Sequence, residues 1–317
     1  MSEAHFESCI NESEIIKQNN LNISKIPGFP FISNSFQKIG YANFFRSLSN
    51  WQYSTEVDNI KVDEVKCGDI IFVTQHFVNY FWEIYHKKIK SKYILISHES
   101  DYPAGYPWHQ MYLDHKNIGY WFAQNVVAKH PKLEPIPIGI LPSPIESFDT
   151  LYDTIKNNVV PYFSRTILLY LNISPGTNKN RTDTIQFFKT FFNENSTKVI
   201  IDESRIHWKH YLWKLGNSQF VLSPPGNGID CFRTWESLAM GAVPIVLKSE
   251  LQPLYDDMPV MVVNDWNEVT EESMKNFSRN KLTEFDKDGV PLRPKLWVRY
   301  WINRISNFRS KFIKDSC

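Results

Sequence analysis

The sequence predicts an α/β fold built from two parallel sheets. Short apolar runs alternate with helical periods from residue 70 to 140, and a second alternation runs from 167 to 263. The stretch from 220 to 247 contains a complete strand, turn, helix and strand. This pattern is typical of βαβ units, whose strands run parallel. With 317 residues, 42% of them hydrophobic, the chain is long enough for two cores.

The first half predicts one α/β domain that ends near residue 150. Residues 1–50 have weak periodicity and many Asn, Ser and Pro residues, so we expect a loosely structured lead-in. A turn at Gly68-Asp69 then precedes the first buried strand. In order, the strand, helix and strand segments are 70–74, 77–85 and 93–97, and apolar segments at 118–123 and 136–140 continue the alternation.

The second half, 151–292, predicts another domain of the same class. Its segments are a strand at 167–171, turn-forming residues at 172–178, a helix from near Arg181, a strand at 199–201, a helix at 208–215 and a strand at 260–263. The last segment, 293–317, has a helical period with interspersed arginines. It could present a basic face to a membrane, but a terminal helix that packs back on the first domain is favoured.

The most informative stretch reads FVLSPPGNGIDCFRTWESLAMGAVPIVL and begins at Phe220. An apolar strand breaks at a turn rich in proline and glycine, which cannot continue a ladder. A short amphipathic helix follows; we expect Asp230 to cap its start and Gly241 to end it in the left-handed region. Val243-Pro244-Ile245-Val246-Leu247 then reads as a buried strand.

This turn and helix also predict an anion site. A turn with two glycines before a helix offers free N–H groups and the positive end of the helix dipole. Arg233 and Glu236 are three residues apart and therefore lie on one side of the helix. An arginine can neutralise a diphosphate, and a carboxylate can accept two hydrogen bonds from a ribose diol. The alternative is a solvated surface ion pair.

The segment SPPGNGIDCFRTWESLAMGAVPIV resembles the nucleotide-sugar-binding segment of exostosin-type glycosyltransferases. The resemblance implies the GT-B fold, in which two Rossmann-like domains with parallel sheets face a cleft. It also implies that Glu236 holds the donor ribose and that Arg233 and the turn amides hold the diphosphate. The family turn usually carries an arginine where this sequence has Pro225, which transfers part of the phosphate binding to Arg233, Lys248 and Arg181.

The candidate donor-binding residues come from two stretches. From the central motif they are Ser223, Gly226, Asn227, Gly228, Asp230, Arg233, Glu236 and Lys248. By resemblance to the family's T-N turn and following arginine, Thr177, Asn178 and Arg181 join them. An ordinary helix start explains these last three equally well.

The stretches YILISHESDYPAG, WFAQN and PIPIGI resemble the acceptor-side domain of the same family. Ligands of open parallel sheets meet the loops that follow the strands. His76 follows the first strand, and His98, Glu99 and Asp101 follow the second. We choose Asp101 as the catalytic base, with Glu99 and His98 as rivals, although loops after strands are polar in any case.

The resemblance predicts a hexosyl- or pentosyltransferase that uses a nucleotide-sugar donor, UDP-linked, as a substrate and needs no other cofactor. The acceptor would be a glycan or glycoprotein. No metal is expected, because helix ends and arginines neutralise the diphosphate in this fold and the strand-end loops lack a DxD pair. Retaining GT-B enzymes of the starch-synthase-like group usually carry a glutamate where this chain has Gly228. Inversion at the anomeric carbon is therefore predicted.

Two other functions compete with this one. Gly226-x-Gly228 resembles half of a dinucleotide fingerprint, as in an NAD(P)-type oxidoreductase. However, Cys231 takes the place of the third glycine, and Lys248 stands where an acidic ribose ligand is expected. A catalytically inactive protein that binds carbohydrate or nucleotide is the third possibility, because the donor-binding residues are clearer than any base.

Composition excludes several partners. With 35 basic and 34 acidic residues, the chain lacks the basic excess that nucleic acid requires. The first 18 residues are acidic and polar with no apolar h-region, and no later apolar stretch approaches 18 residues, so neither a signal peptide nor an integral membrane segment is predicted. The expected location is cytoplasmic. The four cysteines, Cys9, Cys67, Cys231 and Cys317, form no CxxC pair, which predicts reduced thiols without zinc. Aromatic residues reach 15%, which fits either sugar platforms or a large core.

Overall fold

The computed structural model describes residues 44–140, 157–192 and 198–317. They form two compact units, each with its own five-stranded sheet. Of the described residues, the first unit contains 44–138, 249–254 and 297–317, and the second unit contains the others. The boundary predicted near residue 150 lies outside the described residues, as does most of the lead-in predicted for 1–50.

The first unit has a parallel sheet with its strands in chain order. The strands are β1 (Trp51–Tyr53), β2 (Asp69–Thr74), β3 (Tyr93–His98), β4 (Ile118–Ala123) and β5 (Leu133–Pro135). The helices before and between them are α1 (Phe44–Ser47), α2 (Val78–Ile84) and α3 (Gln110–Asp114). In α1 both phenylalanines are buried, so this end of the predicted lead-in is packed rather than loose.

The strands of the first unit form where buried apolar runs occur. All six residues of β2 and all six of β3 are buried, as expected for parallel strands covered on both faces. The register pairs Thr74 with His98, so the loops that follow β2 and β3 start side by side. The apolar segment predicted to continue at 136–140 is not a strand. Pro135 and Pro137 lack the N–H groups that a ladder needs, and β5 ends at Pro135.

The second unit has a parallel sheet in the order β10-β9-β8-β6-β7. The strands are β6 (Ile167–Asn172), β7 (Val199–Asp202), β8 (Ser218–Leu222), β9 (Val243–Leu247) and β10 (Met261–Val263). Its helices after β6 are α4 (Asn180–Phe192), α5 (Trp208–Gly216), α6 (Phe232–Ala239) and α8 (Glu271–Lys281). Between β9 and β10 lies α7 (Gln252–Tyr255), of which residues 252–254 belong to the first unit. The predicted α/β fold with two Rossmann-like parallel sheets is confirmed.

One buried arginine fixes the entry to the second sheet. Arg165 donates hydrogen bonds to the carbonyls of Val160 (2.7 and 2.9 Å), Ser218 (2.9 Å) and Met240 (2.9 Å). Met240 directly precedes Gly241, which ends α6 with a φ of 74° as predicted. A Cβ at Gly241 would lie 2.7 Å from Arg165 Nη2, so the left-handed backbone and the close approach both require glycine.

The terminal helix α9 (Val298–Ser316) belongs to the first unit. Its Phe308 ring lies 4.1 Å from the Tyr120 ring, and its Arg304 donates two hydrogen bonds to Glu134 (2.8 and 2.6 Å). A Cβ at Gly119 would lie only 2.2 Å from Phe312 Cζ, so a glycine on β4 permits this close packing. No helix within residues 44–140, 157–192 and 198–317 is long and apolar enough to cross a membrane.

A disulfide joins Cys67 to Cys317, with Cα atoms 5.8 Å apart and a sequence separation of 250. The prediction of reduced thiols is wrong for this pair, because only the packing of α9 brings the two cysteines together. Cys231 is free, and Cys9 lies outside the described residues. Disulfides are rare in the cytosol, so this bond argues against the predicted cytoplasmic location.

We predict that Cys317→Ser lowers the free energy of unfolding by about 2–4 kcal/mol, because the bond closes a long loop and restricts the unfolded chain. Urea denaturation under non-reducing conditions measures the difference. Dithiothreitol should destabilise the wild type to the level of the variant and leave a Cys67→Ser/Cys317→Ser double variant unchanged. The prediction would be contradicted if dithiothreitol did not change the free energy of unfolding of the wild type.

Candidate functional site

The candidate site lies where the strand order of the second sheet reverses. β7 lies on one side of β6 and β8 on the other, so the crossover from β6 to β7 and the crossover from β7 to β8 run in opposite directions. In open parallel sheets, ligands bind outside the carboxyl ends of the strands at such a switch point. The loop after β6 reaches the start of α4, and the loop after β8 is the predicted turn from Ser223 onward.

Side chains at the start of α4 hold that turn in place. Arg181 donates to the carbonyls of Pro224 and Pro225, both at 2.9 Å, and Asn178 Nδ2 donates to the carbonyl of Gly226 at 3.0 Å. A Cβ at Gly226 would lie 3.0 Å from Arg181 Nη2. The predicted arginine and Asn178 therefore contact the predicted turn, although they are more than 40 residues away in sequence.

The guanidinium of Arg181 donates several hydrogen bonds to other groups of the protein. Besides the two proline carbonyls, it donates to Thr177 Oγ1 (2.6 Å) and the carbonyl of Ser174 (3.3 Å), and its side chain is buried. Buried carbonyls without partners are costly, and one arginine supplies several donors at once. The structure thus gives Arg181 and Thr177 a role in shaping the turn, and their predicted contact with phosphate remains a prediction.

The start of α6 differs from the prediction in one respect. The helix begins at Phe232, and its N-cap, Cys231, makes no side-chain capping bond. Asp230 instead accepts hydrogen bonds from the indole Nε1 of Trp235, at 2.9 and 3.0 Å. Trp235 is fully buried, so its N–H needs an acceptor, and Asp230 is the carboxylate within reach. The prediction that Asp230 caps the helix is wrong.

Glu236 is buried, with only 5% of its surface exposed. Its carboxylate accepts a hydrogen bond from the hydroxyl of Tyr211 on α5 at 2.7 Å. Burial raises the pKa of Glu236 to about 7, although the Tyr211 hydrogen bond and the charge of Arg233 act in the opposite direction. A buried carboxylate excludes the alternative of a solvated surface ion pair.

Arg233 lies one turn before Glu236 and is half-buried. Its Nε is a buried donor with no hydrogen-bond partner. Its charge lowers the pKa of both Glu236 and Tyr211 and opposes the increase that burial causes, so these groups share one environment. Buried polar groups are nearly always satisfied, and an unpaired guanidinium N–H beside a rigid turn is suited to an anionic ligand.

The other motif residues differ in burial and contacts. Ser223 is buried and its hydroxyl lies 2.9 Å from that of Thr234, so it joins the turn to α6. Asn227 and Lys248 are exposed, and Gly228 is buried. Sequence reasoning missed Tyr211, whose position on the apolar period of α5 marked it only as a core residue.

A cavity of about 340 Å³ adjoins the turn on its α4 side. It is lined by Asn178, Asn180, Arg181, Asp183, Thr184, Phe187, Pro224, Pro225, Leu247, Asp265 and Trp266. Two of these are aromatic and two are carboxylates, and Asp265 also accepts a hydrogen bond from the backbone N of Asn267 at 2.9 Å. The switch point therefore has space beside it for part of a ligand.

The predicted acceptor-side residues lie in the first unit, at the end of β3. His98 is buried and its Nε2 donates to the carbonyl of Pro137 at 2.9 Å, while burial lowers its pKa to about 4. Glu99 has a φ of 64° and forms a two-point ion pair with Arg46. Both rivals are thus held in structural contacts. Asp101 is exposed in the loop beyond them, and its predicted role as the base stays a prediction.

Residues 162–288 match the family model described as the RXYLT1 C-terminal domain. No match to the chain was found among curated proteins. The central motif lies inside the matched residues, and the predicted resemblance to exostosin-like glycosyltransferases is confirmed. The match supports a glycosyltransferase.

Several solved structures are similar to the chain. An apo structure of OtsA has 10% identity and a TM-score of 0.42, covering 96% of this chain and 85% of that one. A UDP-forming α,α-trehalose-phosphate synthase from Burkholderia xenovorans, in complex with glucose-6-phosphate, has 10% identity and a TM-score of 0.37, covering 78% and 73%. An α1,3-fucosyltransferase with GDP-fucose has 9% identity and a TM-score of 0.35, covering 82% and 94%. The two parallel sheets of the predicted fold are present in the structure, and the GT-B arrangement of the two units stays a prediction.

We predict that Glu236→Gln alters the pH dependence of stability. Because the pKa of Glu236 is higher in the folded chain, about 7 against 4.5, its contribution is fully present below pH 4.5 and is lost as the pH rises through 7. This loss amounts to about 3 kcal/mol, and glutamine, which cannot ionise, avoids it. Urea denaturation at pH 5 and pH 8 measures how much the free energy of unfolding changes with pH in the wild type and in the variant. The exposed Glu272→Gln should behave like the wild type; equal slopes for wild type and Glu236→Gln would contradict the burial effect.

Proposed function

We propose that this protein is a glycosyltransferase that moves a sugar from a nucleotide-sugar donor to a glycan or glycoprotein acceptor. The observation that carries the proposal is the pair on α6. A buried guanidinium N–H without a partner and a buried carboxylate lie together beside a rigid turn at the switch point of the second sheet. One group is suited to a diphosphate and the other to a ribose diol.

Each donor-binding residue has a separate role in this proposal. Glu236, in its ionised form, accepts hydrogen bonds from the ribose hydroxyls, and Arg233 binds the diphosphate. The amides of Asn227 and Gly228 and the exposed ammonium of Lys248 add to the positive field at the phosphates. Arg181 supports the turn from behind. The proposed donor is a UDP-linked hexose or pentose.

The proposed reaction is a single displacement with inversion and without a divalent metal. An acceptor hydroxyl oxygen bonds to the anomeric carbon as the bond from that carbon to the diphosphate oxygen breaks. Asp101 accepts the hydroxyl proton, and the electron pair leaves with the nucleoside diphosphate, whose charge Arg233 stabilises. Gly228, at the position where retaining enzymes of the starch-synthase-like group usually carry a glutamate, supports inversion over retention.

We predict that Arg233→Met weakens donor binding by a factor of about 10–100, because the diphosphate loses a charge-assisted hydrogen bond worth about 1.5–3 kcal/mol. Isothermal titration calorimetry against a panel of sugar nucleotides measures the dissociation constants. Arg279→Met removes an exposed arginine of α8 and is the matched control, for which no change is expected. If no sugar nucleotide binds the wild type, the proposed function fails. If binding survives in Arg233→Met, only the role of Arg233 fails.

We predict that Asp101→Asn lowers turnover by a factor of about 10²–10⁴, the usual contribution of a general base, while donor affinity is unchanged. The exposed Asp63→Asn should keep full turnover. Proton NMR of the product should show the anomeric configuration opposite to that of the donor, and EDTA should have no effect on the rate. Retained configuration would refute inversion, whereas full turnover in Asp101→Asn would refute only the choice of base.

A further inference from the structure

Four aromatic rings form a row in the segments that follow β2 and β3 of the first unit, and the last of them is on helix α2. The Tyr102 ring lies 6.4 Å from His76, His76 lies 4.0 Å from Phe77, and Phe77 lies 6.3 Å from Tyr80. We call these four residues the aromatic row. Both ends of the row are open to solvent, since Tyr102 is 62% exposed and Tyr80 is 61% exposed.

A buried polar network holds the row in place. Gln75, next to His76, donates to the carbonyls of Tyr102 and Gln124. Asn125 Nδ2 donates to the carbonyl of Ser100 at 3.2 Å. The rings therefore lie on segments whose backbone is held by hydrogen bonds or by helix α2, so a ligand would bind them with little loss of conformational entropy.

The charge around the row narrows the class of ligand. Residues 75–80 and 99–110 contain no lysine or arginine, so a polyanion would find no cation in these loops. They do contain Glu99, which Arg46 neutralises, and the exposed Asp101, which directly precedes Tyr102. Aromatic faces bounded by hydroxyls and a carboxylate match a neutral sugar ring, whose C–H face packs on an aromatic ring while its hydroxyls donate to oxygen acceptors.

We propose that the aromatic row binds a neutral carbohydrate acceptor, with one sugar residue stacked on Tyr102 and another on Tyr80. This inference rests on the proposed glycosyltransferase function and names the acceptor class for it. Because Tyr102 follows Asp101 in the chain, a sugar on Tyr102 lies beside the proposed base. The aromatic row is thus an acceptor-binding surface, and Tyr102 is a residue that sets acceptor specificity.

The test is direct binding of neutral oligosaccharides in the absence of any sugar nucleotide. Saturation-transfer NMR with maltotetraose, lactose, chitotetraose and xylotetraose identifies a bound sugar, and calorimetry gives its affinity. Tyr102→Ala should weaken binding at least tenfold, whereas Tyr102→Phe, which keeps the ring, should retain most of it. Trp213→Ala is the matched control, since Trp213 is a 51% exposed aromatic residue of the second unit, and it should bind like the wild type. Thermal unfolding verifies that each variant is folded.

The outcomes separate this inference from the proposed function. If no oligosaccharide binds, if Tyr102→Ala binds as well as the wild type, or if Trp213→Ala loses as much, the inference is overturned. The same holds if the row binds only heparin fragments or lipid vesicles. If oligosaccharides bind in a Tyr102-dependent way but no sugar nucleotide binds, the aromatic row is a carbohydrate site and the glycosyltransferase proposal fails.

Discussion

The site at the switch point depends on the hydrogen bonds that Arg181 donates to the backbone after β8. A turn that follows a parallel strand leaves the sheet, so its carbonyls lose their ladder partners and need other donors. Arg181 supplies them to Pro224 and Pro225 from behind, at 2.9 Å each. Because the carbonyls point toward Arg181, the turn is fixed on one side by protein contacts. Because α6 begins directly after this turn, the position of the turn also determines where Arg233 and Glu236 lie.

Burial of Glu236 favours its protonated form, whereas the proposed binding of a ribose diol requires its ionised form. Desolvation raises the pKa of its carboxyl to about 7, so near neutral pH the Glu236 carboxyl is partly protonated and partly ionised. A ribose diol donates two hydrogen bonds and is best accepted by the ionised form. Donor binding would therefore be coupled to proton release, and the hydrogen bond from Tyr211 already favours the ionised carboxylate. Burial makes the ionised carboxylate unfavourable in the free protein, and hydrogen bonds from the ligand's hydroxyls would offset that desolvation free energy.

Local patterns predicted the elements and the position of the site, but not its contacts. Apolar runs bounded by glycine and proline marked most of the strands, because a buried parallel strand must be apolar on both faces. The spacing of Arg233 and Glu236 placed them on one helix face for a purely geometric reason. The hydrogen bond from Tyr211 depends on how α5 packs on α6, and the Cys67–Cys317 bond depends on where α9 ends. Both contacts join residues that are distant in sequence, so local patterns could not predict them. The indole of Trp235 competed for Asp230, which the capping rule alone could not show.

Both units use an arginine behind the loops at the carboxyl edge of the sheet, and the chemistry explains why. In the first unit Arg46 holds Glu99, whose left-handed backbone starts the loop after β3; in the second, Arg181 holds the turn after β8. Arginine presents five donors in a rigid fork and remains charged when buried. One side chain can therefore bind both oxygens of a carboxylate, as Arg46 does, or several backbone carbonyls, as Arg181 does. A lysine would supply fewer donors without a fixed geometry. The side chains of Asp101 in one unit and Lys248 in the other are exposed in loops at this edge, where ligands of open parallel sheets bind.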